Sequence, residues 1–384
     1  MIEGVRLHQI RSWRDGEVSL APGVHIFWGE NGAGKTTILE ACIVAATGRS
    51  HRAGSLRETI AGDEAHGAIA VNVRDDSGDS ADPLARSALR VEIARAGRTR
   101  HLINGTPRAP SALGERLRVA AFVPEETGLV VGPPAVRRGL LDRVASQWRR
   151  GYGSTLTRYE RALRQRNRLL KDALEADGAA RQAIVGQMRP WSEMLIAAGS
   201  EVVAGRLALL AALAPLLAAA HNEVAPSEAA LETRYLAREK YRADASAGEC
   251  ASQLAQSLEE TAEAEGYQGH TLVGPHRDDI SFHVGGSDLA PTASRGQQRS
   301  LLLALLFAEI GLLTDERGRP PVLLLDDAFS ELDPQRREHL VARIAALPQS
   351  IITTTTLADL APGLVGRAAT QEIRRSSAGS TVAA

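Results

Sequence analysis

The run Gly29-Glu30-Asn31-Gly32-Ala33-Gly34-Lys35-Thr36 holds glycines, a lysine and a hydroxyl at the spacing of a phosphate-binding loop. Each residue type has a reason to be there. Glycines let backbone N–H groups turn inward around phosphate oxygens, and a helix N-terminus adds positive potential. Lys35 is set to reach the β- and γ-phosphates of ATP, and Thr36 to give its hydroxyl oxygen to Mg²⁺. Glu30, Asn31, Gly32, Ala33, Gly34 and Thr37 complete the expected nucleotide-binding set. The context agrees, because Val24-His25-Ile26-Phe27-Trp28 reads as a buried strand and Thr37-Ile38-Leu39-Glu40-Ala41 begins a helix.

Far along the chain, Pro320-Pro321 introduces Val322-Leu323-Leu324-Leu325-Asp326-Asp327. Four consecutive apolar residues suit a strand buried on both faces of a parallel sheet. Carboxylates at the C-terminal end of such a strand stand where open α/β sheets bind ligands. Asp326 is the candidate partner of Mg²⁺ through water, and Asp327 the candidate for polarising the attacking water. Asp327 can alternatively cap a helix or serve as a further residue around the metal.

Ser294-Arg295-Gly296-Gln297-Gln298 precedes an apolar helical run from Arg299 to Leu313. Ser294 there is a helix cap on the plainest view. The segment also resembles the signature of ABC-type ATPases, with Ser294, Arg295, Gly296 and Gln297 presented to the γ-phosphate held by a second subunit. Ser330-Glu331-Leu332-Asp333 resembles the D-loop of the same superfamily, with Ser330, Glu331 and Asp333 as its site residues. The four elements occur in the order that superfamily uses. The resemblance implies a homodimer with two ATP molecules sandwiched between its copies.

These residues need a scaffold. The first third alternates short β-like runs with turns, among them Ala68–Val73, Ala88–Ala94 and the hairpin signal Asn104-Gly105. Asp75 to Pro83 is polar and reads as a surface loop. From about Val136 to Glu265 the texture turns helical, and β texture resumes near Thr271 and Ile280–Val284. The expected class is α/β: a P-loop nucleotide-binding lobe with a mixed sheet, and an inserted all-helical lobe. The expected divisions are 1–135 and 266–370 for the nucleotide lobe, 136–265 for the helical domain and 371–384 for a flexible tail. Leu207 to Ala220 is the greasiest stretch, too short for the ~20 residues that cross hydrocarbon, so it is expected to be a buried helix.

Lys plus Arg numbers 45 and Asp plus Glu 46, so the net charge of −1 names no partner. Cys42 and Cys250, far apart, predict neither a zinc site nor a disulfide framework. No basic and apolar leader stands at the N-terminus, and a cytoplasmic location without membrane attachment is expected. One stretch breaks the charge balance. Arg137 to Lys171 holds eleven Lys/Arg against Asp142 and Glu160. Arg158, Arg161, Arg164, Arg168 and Lys171 are candidates for tracking a duplex backbone; a solvated helix, or a surface for a partner protein, is the competing view. His276-Arg277-Asp278-Asp279 is either a hydrogen-bonded corner bracing the nucleotide lobe or a metal site.

Several stretches together resemble the RecF family, short-armed relatives of the SMC heads. They are Gly29–Thr36 with Leu39-Glu40-Ala41, Gly48-Arg49-Ser50-His51-Arg52, Pro124-Glu125-Glu126, Gly132–Arg138 and Leu141-Asp142. Gly274–Asp279, Ser294–Arg299, Leu323–Asp327 and Ser330–Asp333 complete them, so the likeness runs up to Thr356. Thr37 departs from the family's usual Asn, and the 75–83 loop and the tail look like additions. The long gap between Lys35 and Asp326, and Thr353–Thr356 where a transporter's switch histidine would stand, separate the chain from transporter-type subunits. The resemblance implies a slow ATP hydrolase, stimulated by DNA, that dimerises on ATP and binds double-stranded and gapped DNA. It also implies RecO and RecR as partners in loading RecA at single-strand/double-strand junctions. An SMC-like scaffold or a transporter-type ATPase is the alternative.

Overall fold

A computed structural model describes residues 1–74, 86–330, 332–376 and 379–383. The polar loop expected over 75–83 lies outside these residues, as does Glu331. From the N-terminus come β1 (Ile2–Ile10), β2 (Trp13–Ser19), β3 (Gly23–Trp28), α1 (Lys35–Thr47), β4 (His66–Arg74), β5 (Arg86–Ala94), β6 (Arg100–Ile103), β7 (Thr106–Arg108) and β8 (Val119–Phe122). Next are α2 (Pro134–Trp148), α3 (Tyr152–Leu174), α4 (Gly178–Gly186), α5 (Arg189–Val224), β9 (Leu231–Leu236), α6 (Ala247–Gln268), β10 (Asp279–Val284) and β11 (Ser287–Asp288). The chain closes with α7 (Arg295–Arg317), β12 (Val322–Asp326), α8 (Pro334–Ala345), β13 (Gln349–Thr354), α9 (Pro362–Val365), β14 (Ala369–Ser376) and β15 (Gly379–Val382). These elements fall into two units. One is Met1–Leu129 with Leu216–Ala229 and Ala293–Ala384; the other is Val130–Pro215 with Ala230–Thr292.

The first unit has two six-stranded sheets, ordered β2-β1-β4-β5-β6-β7 and β15-β14-β3-β13-β12-β8. The former is antiparallel throughout. In the latter β14, β3, β13, β12 and β8 run parallel, and β15 joins the edge antiparallel. Sequence texture explains the difference. Every residue of β12 is buried, as two covered faces demand, whereas β5 alternates buried and open positions. Helix α1 touches strands of both sheets. Each of its residues from Thr37 to Ala46 is buried, so apolar side chains occupy every face rather than a stripe, with the ion-paired Glu40 as the charged exception. Trp13, Phe27, Ile38, Ile43, Ile69, Val91 and Leu324 share this core. Asn104 and Gly105, both left-handed, make the expected turn between β6 and β7.

The second unit buries Leu156, Tyr159, Ala162 and Leu170 of α3, Leu195, Val202 and Leu209 of α5, and Cys250, Leu254 and Leu258 of α6. A capping box at Ser246 and Glu249 starts α6, and left-handed Gly269 stops it. The unit also contains the sheet β11-β10-β9.

Two expectations need correction, and a third only as to length. The inserted domain is not 136–265 and not all-helical, because β10 pairs with β9 from Asp279↔Leu236 to Val284↔Leu231. The β texture after Thr271 therefore belongs to the second unit. The segment from 371 is not a frayed tail either: β14 lies parallel to β3, and Ile373 is 1% exposed. Finally, the apolar run 207–220 is part of a longer helix, α5, whose length and composition would suffice to cross a membrane. Its Leu209, Leu213, Leu217 and Ala220 are nonetheless buried within the protein.

Candidate nucleotide site

Strand β3 ends at Trp28 and α1 begins at Lys35, so the loop between them is short and heavily turned. Gly29 and Gly34 have φ of 143° and 107°, outside the range of most side chains. Space is a second constraint. A Cβ on Gly29 would come within 2.3 Å of the Ile373 carbonyl oxygen, and one on Gly34 within 2.6 Å of both Trp13 Nε1 and Ser380 Oγ. The Trp13 indole N–H donates to the Gly34 carbonyl at 3.0 Å, fixing the loop from the first sheet.

Lys35 is buried, and its ammonium donates to the loop carbonyls of Gly29 at 2.6 Å and Glu30 at 2.8 Å. Burial pushes its pKa down, while Asp326 and Asp327 oppose that shift. Thr36 Oγ1 donates to Asp326 Oδ1 at 3.0 Å, and the Thr353 hydroxyl donates to the same oxygen. Asp327 follows in left-handed backbone with φ of 49°, its N–H bonded to the Thr353 carbonyl at 3.1 Å. An aspartate in that region marks a tight turn held by its surroundings. Burial raises the Asp327 pKa, and the charge of Asp326 adds to the rise against the pull of Ser330 and Lys35.

These groups line one cavity of about 490 Å³. Of the residues expected from sequence, Asn31, Gly32, Gly34, Lys35, Thr36, Thr37, Asp326 and Asp327 border it. Ala33 is buried behind the loop, and Glu30 is exposed. Arg11, Ser12, Arg52, Thr353 and Arg375 also line the cavity and were missed. Arg11 had no visible signal, since its role depends on Glu40, 29 positions away and wholly buried in α1. The Arg11 guanidinium grips that carboxylate at 3.1 and 2.9 Å, and Ser50 Oγ donates to it at 2.5 Å. Burial alone would raise the Glu40 pKa; the bonds from Arg11 and Ser50 outweigh it and hold the carboxyl below its ordinary value.

The signature residues do not join this cavity. Ser294 caps α7, accepting from the Gln297 N–H at 3.2 Å while Gln297 Oε1 accepts from the Ser294 N–H at 3.0 Å. Arg295, Gly296 and Gln297 form the first turn. Asp333 caps α8 by accepting from the Arg336 N–H at 3.0 Å. Arg336 also pairs with the Asp333 carboxylate and donates to Ser300 Oγ of α7 at 2.6 Å. The signature helix and the D-loop thus share one arginine. Ser330 Oγ donates to the Asp327 carbonyl at 2.8 Å.

In the second unit, Arg158, Arg161, Arg164, Arg168 and Lys171 are exposed along α3. Arg166, between them, is buried and paired with Glu265 at 2.5 Å; Arg137 is likewise buried against Asp279 at 2.7 Å. Those two leave the basic stripe. The segment 274–279 is a hydrogen-bonded corner, though of this unit and not of the nucleotide lobe. His276 Nδ1 pairs with Tyr159 Oη at 2.6 Å, and Asp278 Oδ2 accepts from Tyr235 at 2.6 Å.

The sequence pattern of the RecF/RecN/SMC N terminal domain matches residues 1–362. The DNA replication and repair protein RecF of Chloroflexus aurantiacus is 37% identical over 376 residues, covering 92% of this chain and 93% of its own. That of Heliobacterium modesticaldum is 33% identical over 374 residues, 97% of each chain. Among solved structures, the recombination mediator protein RecF of the RecFOR pathway superposes as RecF-ATP with a TM-score of 0.81 and 25% identity, over 100% of this chain and 97% of the other. As RecF-ATPrS it gives 0.84 at 24% identity, over 100% and 98%. A Smc head domain of Pyrococcus furiosus shares the fold at a TM-score of 0.53 and 14% identity, over 100% and 95%.

Proposed function

The chain belongs to the RecF family, within the RecF/RecN/SMC N-terminal-domain group, and from that premise we propose that it binds and hydrolyses ATP in DNA replication and repair. The observation that carries this reading is the meeting of Lys35, Thr36, Asp326 and Asp327 around one cavity. Lys35, now resting on loop carbonyls, moves onto phosphate oxygens when these arrive. The Thr36 hydroxyl and the Asp326 carboxylate are hard oxygen donors 3.0 Å apart, a pairing that suits Mg²⁺. When bound, that ion supplies charge neutralisation at the phosphate oxygens. Asp327 orients the attacking water and accepts its proton. Its side chain is one methylene shorter than glutamate, which favours slow turnover.

Two copies associate on ATP, and Ser294, Arg295, Gly296 and Gln297 of each reach the γ-phosphate held by the other. Ser330 and Asp333 flank that joint. The capped start of α7, standing outside its own chain's cavity, supports this. Duplex and gapped DNA, RecR and RecO are the partners, RecA loading is the outcome, and the cytoplasm is the location.

Light scattering with a non-hydrolysable ATP analogue, with and without duplex DNA, tests the reading. The analogue is expected to double the mass, and Ser294→Arg to bind it while remaining a monomer. A wild-type protein that binds the analogue yet stays monomeric sinks the dimer mechanism.

A further inference from the structure

We propose that Arg375, on β14, is a nucleotide-binding residue whose guanidinium takes hold of the phosphate chain at the P-loop. The proposal rests on the nucleotide reading of the cavity given above. Arg375 lines that cavity together with Lys35 and Thr36. Its position is fixed by pairing: β14 runs parallel to β3 from Ala369↔His25 to Glu372↔Trp28. The next three residues therefore pass alongside the loop that leaves Trp28, and the Ile373 carbonyl closes on Gly29. On the returning strand, Ser380 bonds Ser12 through backbone N–H at 2.9 Å and hydroxyl at 2.7 Å. The hairpin is thus built against the phosphate loop from both strands.

The other arginines of the cavity are occupied. Arg11 is clamped on Glu40, and Arg52 lies 3.7 Å from Glu40 and 3.6 Å from Glu125. Even the neighbouring Arg374 pairs with Glu372 at 2.6 Å. Arg375 has no carboxylate partner among the described residues; its Nη1 donates to the Gly32 carbonyl at 3.4 Å, a long bond near the limit of usefulness. A guanidinium held that weakly beside an anion pocket exchanges its acceptor at little cost, and its planar fork suits phosphate oxygens. The pocket also carries the carboxylates of Asp326 and Asp327, so a polyphosphate gains from a cation besides Lys35.

The competing role is mechanical, with Arg375 bracing the loop through Gly32. Arg375→Gln and Arg375→Lys, beside Lys35→Ala, separate the two by titration with fluorescent ATP and ADP and by melting without nucleotide. Removing a charge-assisted bond is expected to weaken both nucleotides about tenfold or more in Arg375→Gln, with partial recovery in Arg375→Lys and an unchanged nucleotide-free melting temperature. Wild-type affinity in Arg375→Gln, with binding abolished in Lys35→Ala, overturns the role of Arg375 and leaves the nucleotide site intact. A fall in affinity that Arg375→Lys does not recover, with a matching fall in melting temperature, assigns the brace instead. If wild-type protein binds neither nucleotide, the reading of the site itself fails and Arg375 falls with it.

Discussion

Thr36 Oγ1 lies 3.0 Å from Asp326 Oδ1, although 290 positions separate the two residues. The parallel sheet brings them together, since β3 and β12 both pair with β13 and end at the same edge. Both oxygens are expected to serve one Mg²⁺. Thr36→Ala and Asp326→Asn should each lower the rate of phosphate release by about a hundredfold or more. Nucleotide binding in EDTA should change far less. Phosphate release within a few-fold of wild type in Asp326→Asn would remove the metal from this pair.

Asp327 carries a separate expectation about pH. Its pKa is raised by burial and by Asp326, so it takes up a proton at a higher pH than an exposed aspartate. A base must be ionised, hence hydrolysis should fall on the acid side, starting above the usual carboxylate range. Asp327→Asn should bind ATP normally, hydrolyse it at a small residual rate and lose the acid limb. Steady-state phosphate release across pH reads this directly. An unaltered acid limb in the variant assigns the titration to another group.

How legible the site was depended on sequence distance. The phosphate loop and the Asp326-Asp327 strand end could be read because each is a local pattern with its own strand and helix context. Arg11 could not, because the Glu40 that orients it lies in another element. The division of the chain was misread for a similar reason. β9 and β10 are short and sit among helices, and only their pairing assigns β10 to the second unit. Composition misled at the C-terminus, where the expected flexible tail is instead a strand: β14 pairs with β3, and Ile373 is buried.

His276 and Asp278 link the second unit to pH in opposite senses. Burial pushes the His276 pKa down to about 4, so the folded protein resists a proton that the unfolded chain accepts near 6.5. Its contribution to stability is present above about pH 6.5 and is lost as pH falls through about 4. Burial raises Asp278 to about 6 from an ordinary 3.8. Its contribution is present below 3.8 and is lost as pH rises through 6. His276→Gln should flatten the decline of melting temperature on acidification across this window, and Asp278→Asn should steepen it. Parallel curves for both variants and wild type would show that neither group titrates there.

Arg206 is 2% exposed and grips Asp142 through two bonds of 2.9 Å, with a third bond of 2.6 Å to the Pro275 carbonyl. Tyr152 Oη donates to the same carboxylate at 2.5 Å. Arg206→Met strands Asp142 largely out of water, at an expected cost of about 3–5 kcal/mol. Adding Asp142→Leu should restore much of that, because no charge then remains to be solvated. Urea unfolding of the single and double variants measures the difference. Equal stability of the two variants would mean that water already reaches Asp142.

On α3 the arginines divide by face. Arg166 points inward to Glu265 and Thr271, whereas Arg161, Arg164 and Arg168 are exposed. The exposed ones are not wholly free: Arg161 stands 5.9 Å over Trp191, and Arg168 lies 3.8 Å from Asp172 in the next turn. Such surface interactions are worth little and yield readily to a phosphate. If duplex DNA follows this face, changing all three to Ala should weaken binding equally for unrelated sequences. The slope of log K against log salt should flatten by about 0.9 for each phosphate left without its arginine. The ring beside these cations, Trp191, is half-buried under Arg161, so single strands should gain little over duplex from stacking. A slope that stays the same in the triple variant would move the DNA off this helix, because counterion release scales with the number of phosphates that the protein neutralises.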